Sequence, residues 1–124
     1  MRSSPPCPCN PDNAYSQCCK PLHEGLPAPT AQALMRSRYS AYVIGRVEYL
    51  LSTWHVSTRP PALELEPTKW LGLTLKQDNT AGDTAEVEFV ARYKVQGRAY
   101  RLHEKSRFVR EQGRWFYVDG DIES

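Results

Sequence analysis

From residue 84 onward apolar and polar positions alternate. Ala85, Val87, Phe89, Ala91, Tyr93 and Val95 share one side, while Glu86, Glu88, Arg92 and Lys94 share the other. A period of two predicts a strand with one covered face. Gln96-Gly97-Arg98 and Gln112-Gly113-Arg114 interrupt the alternation, and glycine in a short turn between alternating segments predicts hairpins. With Gln96-Gly97 as a two-residue turn, Val95 pairs with Arg98, Glu88 faces Lys105 and Glu86 faces Arg107. Opposite charges directly across a ladder support that register. It also places Tyr100, Leu102, Glu104, Ser106 and Phe108 on the apolar face, and a like turn at Gln112-Gly113 adds Tyr117, Asp119 and Asp121. Leu73-Thr74-Leu75 opens the first strand, and residues 79–83 read as its turn.

Upstream the period is helical. Thr30 is an N-cap residue, and Leu34, Met35, Tyr39, Tyr42 and Val43 recur at helical spacing, which predicts a helix over 31–44 with Gly45 as its C-cap. A second helical piece is expected over 47–54. Pro60 and Pro61 break the chain, and 67–71 is expected as a short third helix. Helices followed by about four antiparallel strands make an α+β domain over residues 30–124. Residues 1–29, rich in Pro, Ser, Asn and Cys, cannot build a core alone, and residues 25–29 read as a linker. The chain thus divides at 1–29 and 30–124.

With 124 residues, 40% hydrophobic and 24% charged, the chain fits one globular domain. No apolar run approaches a membrane span. Residues 1–8 hold one arginine and prolines but no apolar stretch, unlike a signal peptide. The expected setting is the cytoplasm, without membrane insertion.

All four cysteines lie in the first nineteen residues, as Cys7, Cys9, Cys18 and Cys19. Thiolates at both ends of a short loop suit a tetrahedral zinc site. Two disulfides and free thiols are the alternatives, and adjacent cysteines such as Cys18 and Cys19 rarely bond to each other. In a reducing compartment the grouping favours metal, with His23 as a reserve ligand. Four sulfur ligands would close the site and make it structural. Four thiolates subtract four charges and zinc returns two, so the formal +2 falls to zero. That removes the basic excess that would suggest nucleic acid as a partner; Arg36, Arg38 and Arg46 with the cysteine segment are the weakest case for it.

The segment Cys7-Pro8-Cys9-Asn10, with Tyr15-Ser16-Gln17-Cys18-Cys19, resembles the SEC-C motif, the zinc knuckle of the translocase ATPase SecA. That motif runs Cys-Pro-Cys-Gly-Ser and then Cys-Cys or Cys-His. Asn10 replaces its glycine, and asparagine tolerates left-handed backbone. The resemblance implies a docking module for a protein or ribosomal partner. The remainder resembles the YchJ-like family of small bacterial proteins. The matching stretches are Ala33-Leu34-Met35-Arg36-Ser37-Arg38-Tyr39-Ser40-Ala41-Tyr42, Thr53-Trp54-His55-Val56-Ser57-Thr58-Arg59-Pro60, Trp70-Leu71-Gly72-Leu73, Arg107-Phe108-Val109-Arg110 and Arg114-Trp115-Phe116-Tyr117-Val118-Asp119-Gly120. It implies a cystatin-like, nuclear transport factor 2-like cone: helices packed on a curved antiparallel sheet, with a conical pocket for a small molecule. Such folds host isomerases, dehydratases, hydrolases and binding modules, so the site must carry the function.

Arg38, Tyr42, Trp70, Phe89 and Glu104 are the expected pocket residues. Glu104 falls among Phe89, Tyr93, Leu102 and Phe108, where a carboxylate can serve as general acid or base. The competing and favoured expectation is a buried ion pair with Arg38, which points with the apolar stripe of the helix. His55, flanked with Arg59 around Ser57, titrates near neutrality and is the other acid/base candidate; its structural alternative is a histidine holding helix C-terminal carbonyls. Asp119 completes the catalytic candidates. His103 alternates onto the polar face. Trp54, Trp70 and Trp115 are expected in the core rather than around a ligand. Three functions follow from the residues: a zinc-stabilised adaptor or small-ligand-binding protein, a pocket enzyme of isomerase or hydrolase type using Glu104 or His55, and, weakest, a nucleic-acid or ribosome binder.

Overall fold

The computed structural model describes residues 5–122. Residues 1–4, part of the stretch read above as unlike a signal peptide, and residues 123–124 lie outside it. The chain runs β1 (Pro6–Cys7), β2 (Asn10–Ala14), a 3-10 turn (Tyr15–Gln17), α1 (Lys20–His23), α2 (Ala31–Ile44), α3 (Val47–Ser52), β3 (Lys69–Ala81), β4 (Thr84–Val95), β5 (Arg98–Glu111) and β6 (Arg114–Ile122). The last four strands form one antiparallel sheet in the order β3-β4-β5-β6, and β1 and β2 form a separate ribbon. Helices thus precede a four-stranded sheet in an α+β fold. No helix among the described residues is long and apolar enough to cross a membrane.

Local chemistry sets the bounds of α2. Thr30 Oγ1 accepts from the Ala33 N–H at 3.0 Å, a cap worth about 1 kcal/mol. Gly45, at φ 91°, ends the helix by returning its N–H to Ala41 O at 2.8 Å. The helix is covered on two sides, by the sheet and by the cysteine ribbon. Polar Ser37, Arg38 and Ser40 are therefore buried along with Leu34, Met35 and Tyr39. The cysteines belong to the same buried cluster as Leu22, Leu34, Val87, Phe108 and Trp115. The N-terminal segment is thus packed into the core of the domain, not tethered beside it.

The β4–β5 ladder pairs Val95 with Arg98, Glu88 with Lys105 and Glu86 with Arg107. Gln96 and Gly97 (φ 53° and 81°) and Gln112 and Gly113 (φ 54° and 78°) supply the two positive-φ residues of a type I′ hairpin turn. The side chains choose other partners than the β4–β5 register suggests. Glu88 takes His103 Nε2 at 2.6 Å, which leaves His103 half-buried rather than free in solvent, and Arg107 bonds Asp119 and Asp121.

Three elements differ from the sequence expectation. Residues 67–71 form no helix; β3 begins at Lys69 and pairs Trp70 with Tyr93. A bulge at Leu71 puts Trp70 and Leu73 on the inner face and leaves Leu71 exposed, which disguises the period of two. The turn expected at 79–83 shrinks to Gly82-Asp83, because β3 continues to Ala81. In β6 the register shifts between Arg107 and Phe108, so Phe108 faces Tyr117 while Arg107 faces Asp119. Val118 is the extra residue. Tyr117 keeps the inner face, but Asp119 and Asp121 turn to the outer one.

Candidate functional site

The ribbon brings the four thiols together. The β1–β2 pairing of Cys7 with Asn10 folds Cys9 back over Cys7. The 3-10 turn delivers Cys18, and Cys19 stands at the N-cap of α1. Asn10 does not use a left-handed backbone; its Oδ1 accepts from the Asp12 N–H at 3.0 Å at the start of β2. Cys9 Sγ is the hub, 3.6 Å from Cys7, 3.5 Å from Cys18 and 3.6 Å from Cys19, and Cys18 and Cys19 are 3.9 Å apart. All four sulfurs lie within 4.8 Å of one another. Thiolates about 2.3 Å from a tetrahedral metal stand about 3.8 Å apart. The cluster therefore has the size of a tetrathiolate cage, and none of its separations is that of a disulfide.

Electrostatics fit the same chemistry. The Cys19 thiol, then Cys18 and Cys7, donate to Cys9 and hold its pKa down at about 5, against the opposing effect of burial, with Arg36 adding a favourable charge. Cys19, as donor to that thiolate, is pushed far up, and burial above all drives Cys18 up to about 11. Ligating cysteines must be deprotonated, so a divalent cation bound here would displace the remaining thiol protons. Ser40 Oγ donates to Cys19 Sγ at 3.2 Å and lies 3.6 Å from Cys7 Sγ. Arg36 reaches Cys9 O at 3.4 Å.

His23 is not a reserve ligand. Its Nε2–H donates to Ser37 O at 2.8 Å, so Nδ1 accepts from Tyr15 Oη at 2.7 Å. Both ring nitrogens are committed to joining the ribbon to α2. Burial lowers its pKa and keeps it neutral.

On the other side of α2 lies a cavity of about 260 Å³. Arg38, Tyr42, Trp70, Phe89 and Glu104 all line it, with Tyr39, Ser106 and Tyr117 among the remaining walls. The favoured ion pair is not made: among the described residues no salt bridge joins Arg38 to Glu104. Arg38 instead spends one nitrogen on Leu50 O (2.8 Å) and Thr53 Oγ1 (2.7 Å), at the C-terminus of α3. Its guanidinium lies over Tyr117 at 4.5 Å and Trp54 at 5.2 Å. The aromatic rings and the helix-end carbonyl hold the cation by direct contact, and the Glu104 charge favours it without a direct ion pair. The side chain is only 6% exposed, and burial lowers its pKa. Glu104 accepts from Ser106 Oγ at 2.7 Å. A Cβ on Gly120 would sit 2.3 Å from Glu104 Oε2, so the bare glycine makes the room this carboxylate occupies. Burial and the Glu104 charge push the Tyr117 hydroxyl up.

The other candidates stand outside this cavity. His55 accepts from the Ser57 N–H at Nδ1 (3.1 Å), with Ser57 Oγ 2.7 Å away, and donates from Nε2 to Glu111 at 2.9 Å. It holds no helix carbonyl. Arg59 donates to Trp54 O at 3.0 Å. Asp119 is on the outer face, 2.6 Å from Arg107. Of the tryptophans, Trp70 lines the cavity, with Tyr39 at 5.6 Å and Tyr93 at 5.3 Å between ring centroids. Trp115 is core, and Trp54 packs on Tyr117. Ser40 and Ser106 carry no sequence signal of a role; only their spacing on α2 and on the inward face of β5 could have raised them.

Residues 30–120 match the family model described as "YchJ, middle NTF2-like domain". A UPF0225 protein of Methylibium petroleiphilum is 60% identical over 122 residues, covering 95% of this chain and 89% of the relative. One of Bordetella pertussis is 57% identical over 124 residues, covering 94% and 92%. The solution structure of a SEC-C motif-containing protein from Rhodopseudomonas palustris superposes with a TM-score of 0.86 at 30% identity, covering 96% of this chain and 99% of the other. The crystal structure of a SEC-C motif-containing protein from Psychrobacter arcticus gives 0.78 at 28% identity, covering 98% and 83%.

Proposed function

The chain belongs to the UPF0225 family, with a YchJ-type middle domain, and from that premise we propose that it is a small-molecule-binding protein whose ligand site is braced by a structural zinc. One observation carries the proposal: a cavity of about 260 Å³ in which a buried guanidinium and a carboxylate stand without pairing to each other. Convergent polar groups in an aromatic cavity are the usual signature of a ligand site. An ion pair serving only stability would have closed on itself.

Zinc is the metal that suits the cage. Four soft sulfurs at tetrahedral separation favour it over the oxygen-seeking cations, and a complete thiolate set leaves no position for a reacting water. Four free thiols suit a reducing, cytoplasmic setting. Residues 11–13 and 16–17 of the ribbon lie on its solvent side, and there a protein or ribosomal partner would dock.

A second reading rests on Glu104. Held by Ser106 inside the cavity, it has the placement of a general base or acid in a pocket enzyme.

The test is a fragment screen by NMR on the zinc-loaded protein, after native mass spectrometry has established the metal. One zinc per chain is expected, with shift perturbations confined to Trp70, Phe89, Leu102 and their neighbours. Hits scattered elsewhere, or a chain that keeps all four thiols free when zinc is supplied, would overturn the reading.

A further inference from the structure

The two charges in the cavity restrict what it can hold. Arg38 uses only Nη1 in hydrogen bonds, so the opposite edge of its fork is unspent, in a side chain that lines the cavity and is 6% exposed. A free guanidinium edge matches a carboxylate bidentately. Glu104 accepts one hydrogen bond, from Ser106 to Oε2, which leaves Oε1 without a partner. It stands against Phe89, Leu102 and Phe108. A ligand carrying one negative charge would satisfy Arg38 and meet repulsion from Glu104. A ligand carrying one positive charge would do the reverse. Either leaves one of the two cavity charges without a counterpart, whereas a ligand with both charges answers both.

We infer that the cavity binds a small zwitterion of the amino-acid type, its carboxylate on Arg38, its ammonium on Glu104 and its apolar side chain among Tyr39, Trp70 and Phe89. This rests on the reading of the cavity as a ligand site. The volume agrees: about 260 Å³ lies just below the range of about 300–1,000 Å³ that drug-sized ligands occupy. The walls agree as well. The rings of Tyr42 and Trp70, 6.0 Å apart, and of Tyr39 and Trp70 form an aromatic corner that takes a flat or branched apolar group and attracts an ammonium. Ser106 fixes the Glu104 carboxylate before any ligand arrives, so little ordering remains to be done on binding.

Five probes on the zinc-loaded protein separate the possibilities: L-phenylalanine, L-leucine, 3-phenylpropionate (the anion alone), phenethylamine (the cation alone) and p-cresol (neutral). Binding is read from the Trp70 indole resonance and from tryptophan fluorescence. One of the two amino acids should bind at least about tenfold more tightly than either single-charge probe. Glu104→Gln should remove most of the advantage over 3-phenylpropionate, and Arg38→Lys, which keeps the charge but loses the fork, should reduce the advantage over phenethylamine. Glu104→Gln keeps the test sharp should the Arg38 variant misfold. If p-cresol or a single-charge probe binds as tightly as the amino acids, or if Glu104→Gln leaves the preference unchanged, the zwitterion assignment is wrong while the ligand cavity stands. If none of the five moves Trp70, both fall.

Discussion

At the scale of single residues, the molecule tolerates conformations and charges that its surroundings have to offset. Gln96 and Gln112 hold φ near +54° on the strength of their hairpins alone. A left-handed residue with a Cβ costs about 1–2 kcal/mol, and asparagine bears it better than glutamine. Gln96→Asn should raise stability by about 0.5–1 kcal/mol in urea unfolding; no gain would mean that the turn is not type I′. Gly120 is a different case. Alanine there collides with the end of Glu104, a side chain that can swing, so Gly120→Ala should cost only about 1 kcal/mol. Its larger effect should be to break the Ser106–Glu104 bond, seen as a shift of the Glu104 carboxyl carbon by NMR. His23 offers a third case. Burial lowers its folded-state pKa, so the unfolded chain takes up a proton that the native chain resists. Its contribution is complete above the unfolded value of about 6.5 and fades as pH falls below it. The Tm gap between wild type and His23→Gln should therefore narrow from about pH 7.5 to about pH 5.5.

At the scale of elements, α2 has a side that faces the cysteine cluster and a side that faces the cavity. Ser40 donates to the Cys19 sulfur that a metal would share. Such supporting donors are worth about 10–100-fold in affinity. Ser40→Ala should weaken zinc binding by about tenfold in chelator competition, and an unchanged affinity would reduce Ser40 to a core filler. How far the sequence spoke for these elements depends on how local their cause is. The α2 bounds were legible because Thr30 and Gly45 act within one turn. The β4–β5 register was legible because Glu86, Glu88, Lys105 and Arg107 repeat every second residue across a two-residue turn. The start of β3 and the outer placement of Asp119 were not legible. Each depends on a bulge, at Leu71 or Val118, which shifts the face of every residue beyond it and leaves only a broken alternation in the sequence. The separation of Arg38 from Glu104 was hidden for another reason. The carbonyl of Leu50 and the ring of Tyr117, which occupy Arg38 instead, come from α3 and β6, and only the folded chain brings them to α2. The cysteine cluster was the easiest feature to see, yet its integration into the core was not, because its hydrogen bonds to α2 run through Ser40 and His23, polar residues with no apolar spacing to mark them.

At the scale of the whole molecule, the same helix touches both sites. Ser37 and Ser40 hold the cysteine ribbon, directly and through His23, while Arg38, Tyr39 and Tyr42 line the cavity one or two residues away. A helix is too stiff for one face to move without the other. The ribbon has few apolar residues of its own, so removing zinc should release residues 5–29 to a far more open state and leave α2 with one covered side instead of two. The sheet, held by its long β3–β4 and β4–β5 ladders, should survive that loss. Hydrogen exchange on the metal-stripped, reduced protein should accordingly rise in the ribbon and α2 and stay low in β4 and β5. Loosening α2 loosens Arg38, and any ligand that uses the cavity should bind more weakly to the stripped protein. Coupling of this kind is typically about 5–150-fold, and it is reciprocal: whatever factor zinc adds to ligand affinity, the ligand must add to zinc affinity. Titrating the tightest-binding probe with and without zinc, then zinc with and without that probe, measures the factor twice. Factors above one, with exchange in α2 that rises when the metal is removed, would support α2 as the link between the two sites; equality of the two factors checks the measurement. A factor of one in both directions, with exchange in α2 unchanged by metal, would show that the cage braces only the ribbon.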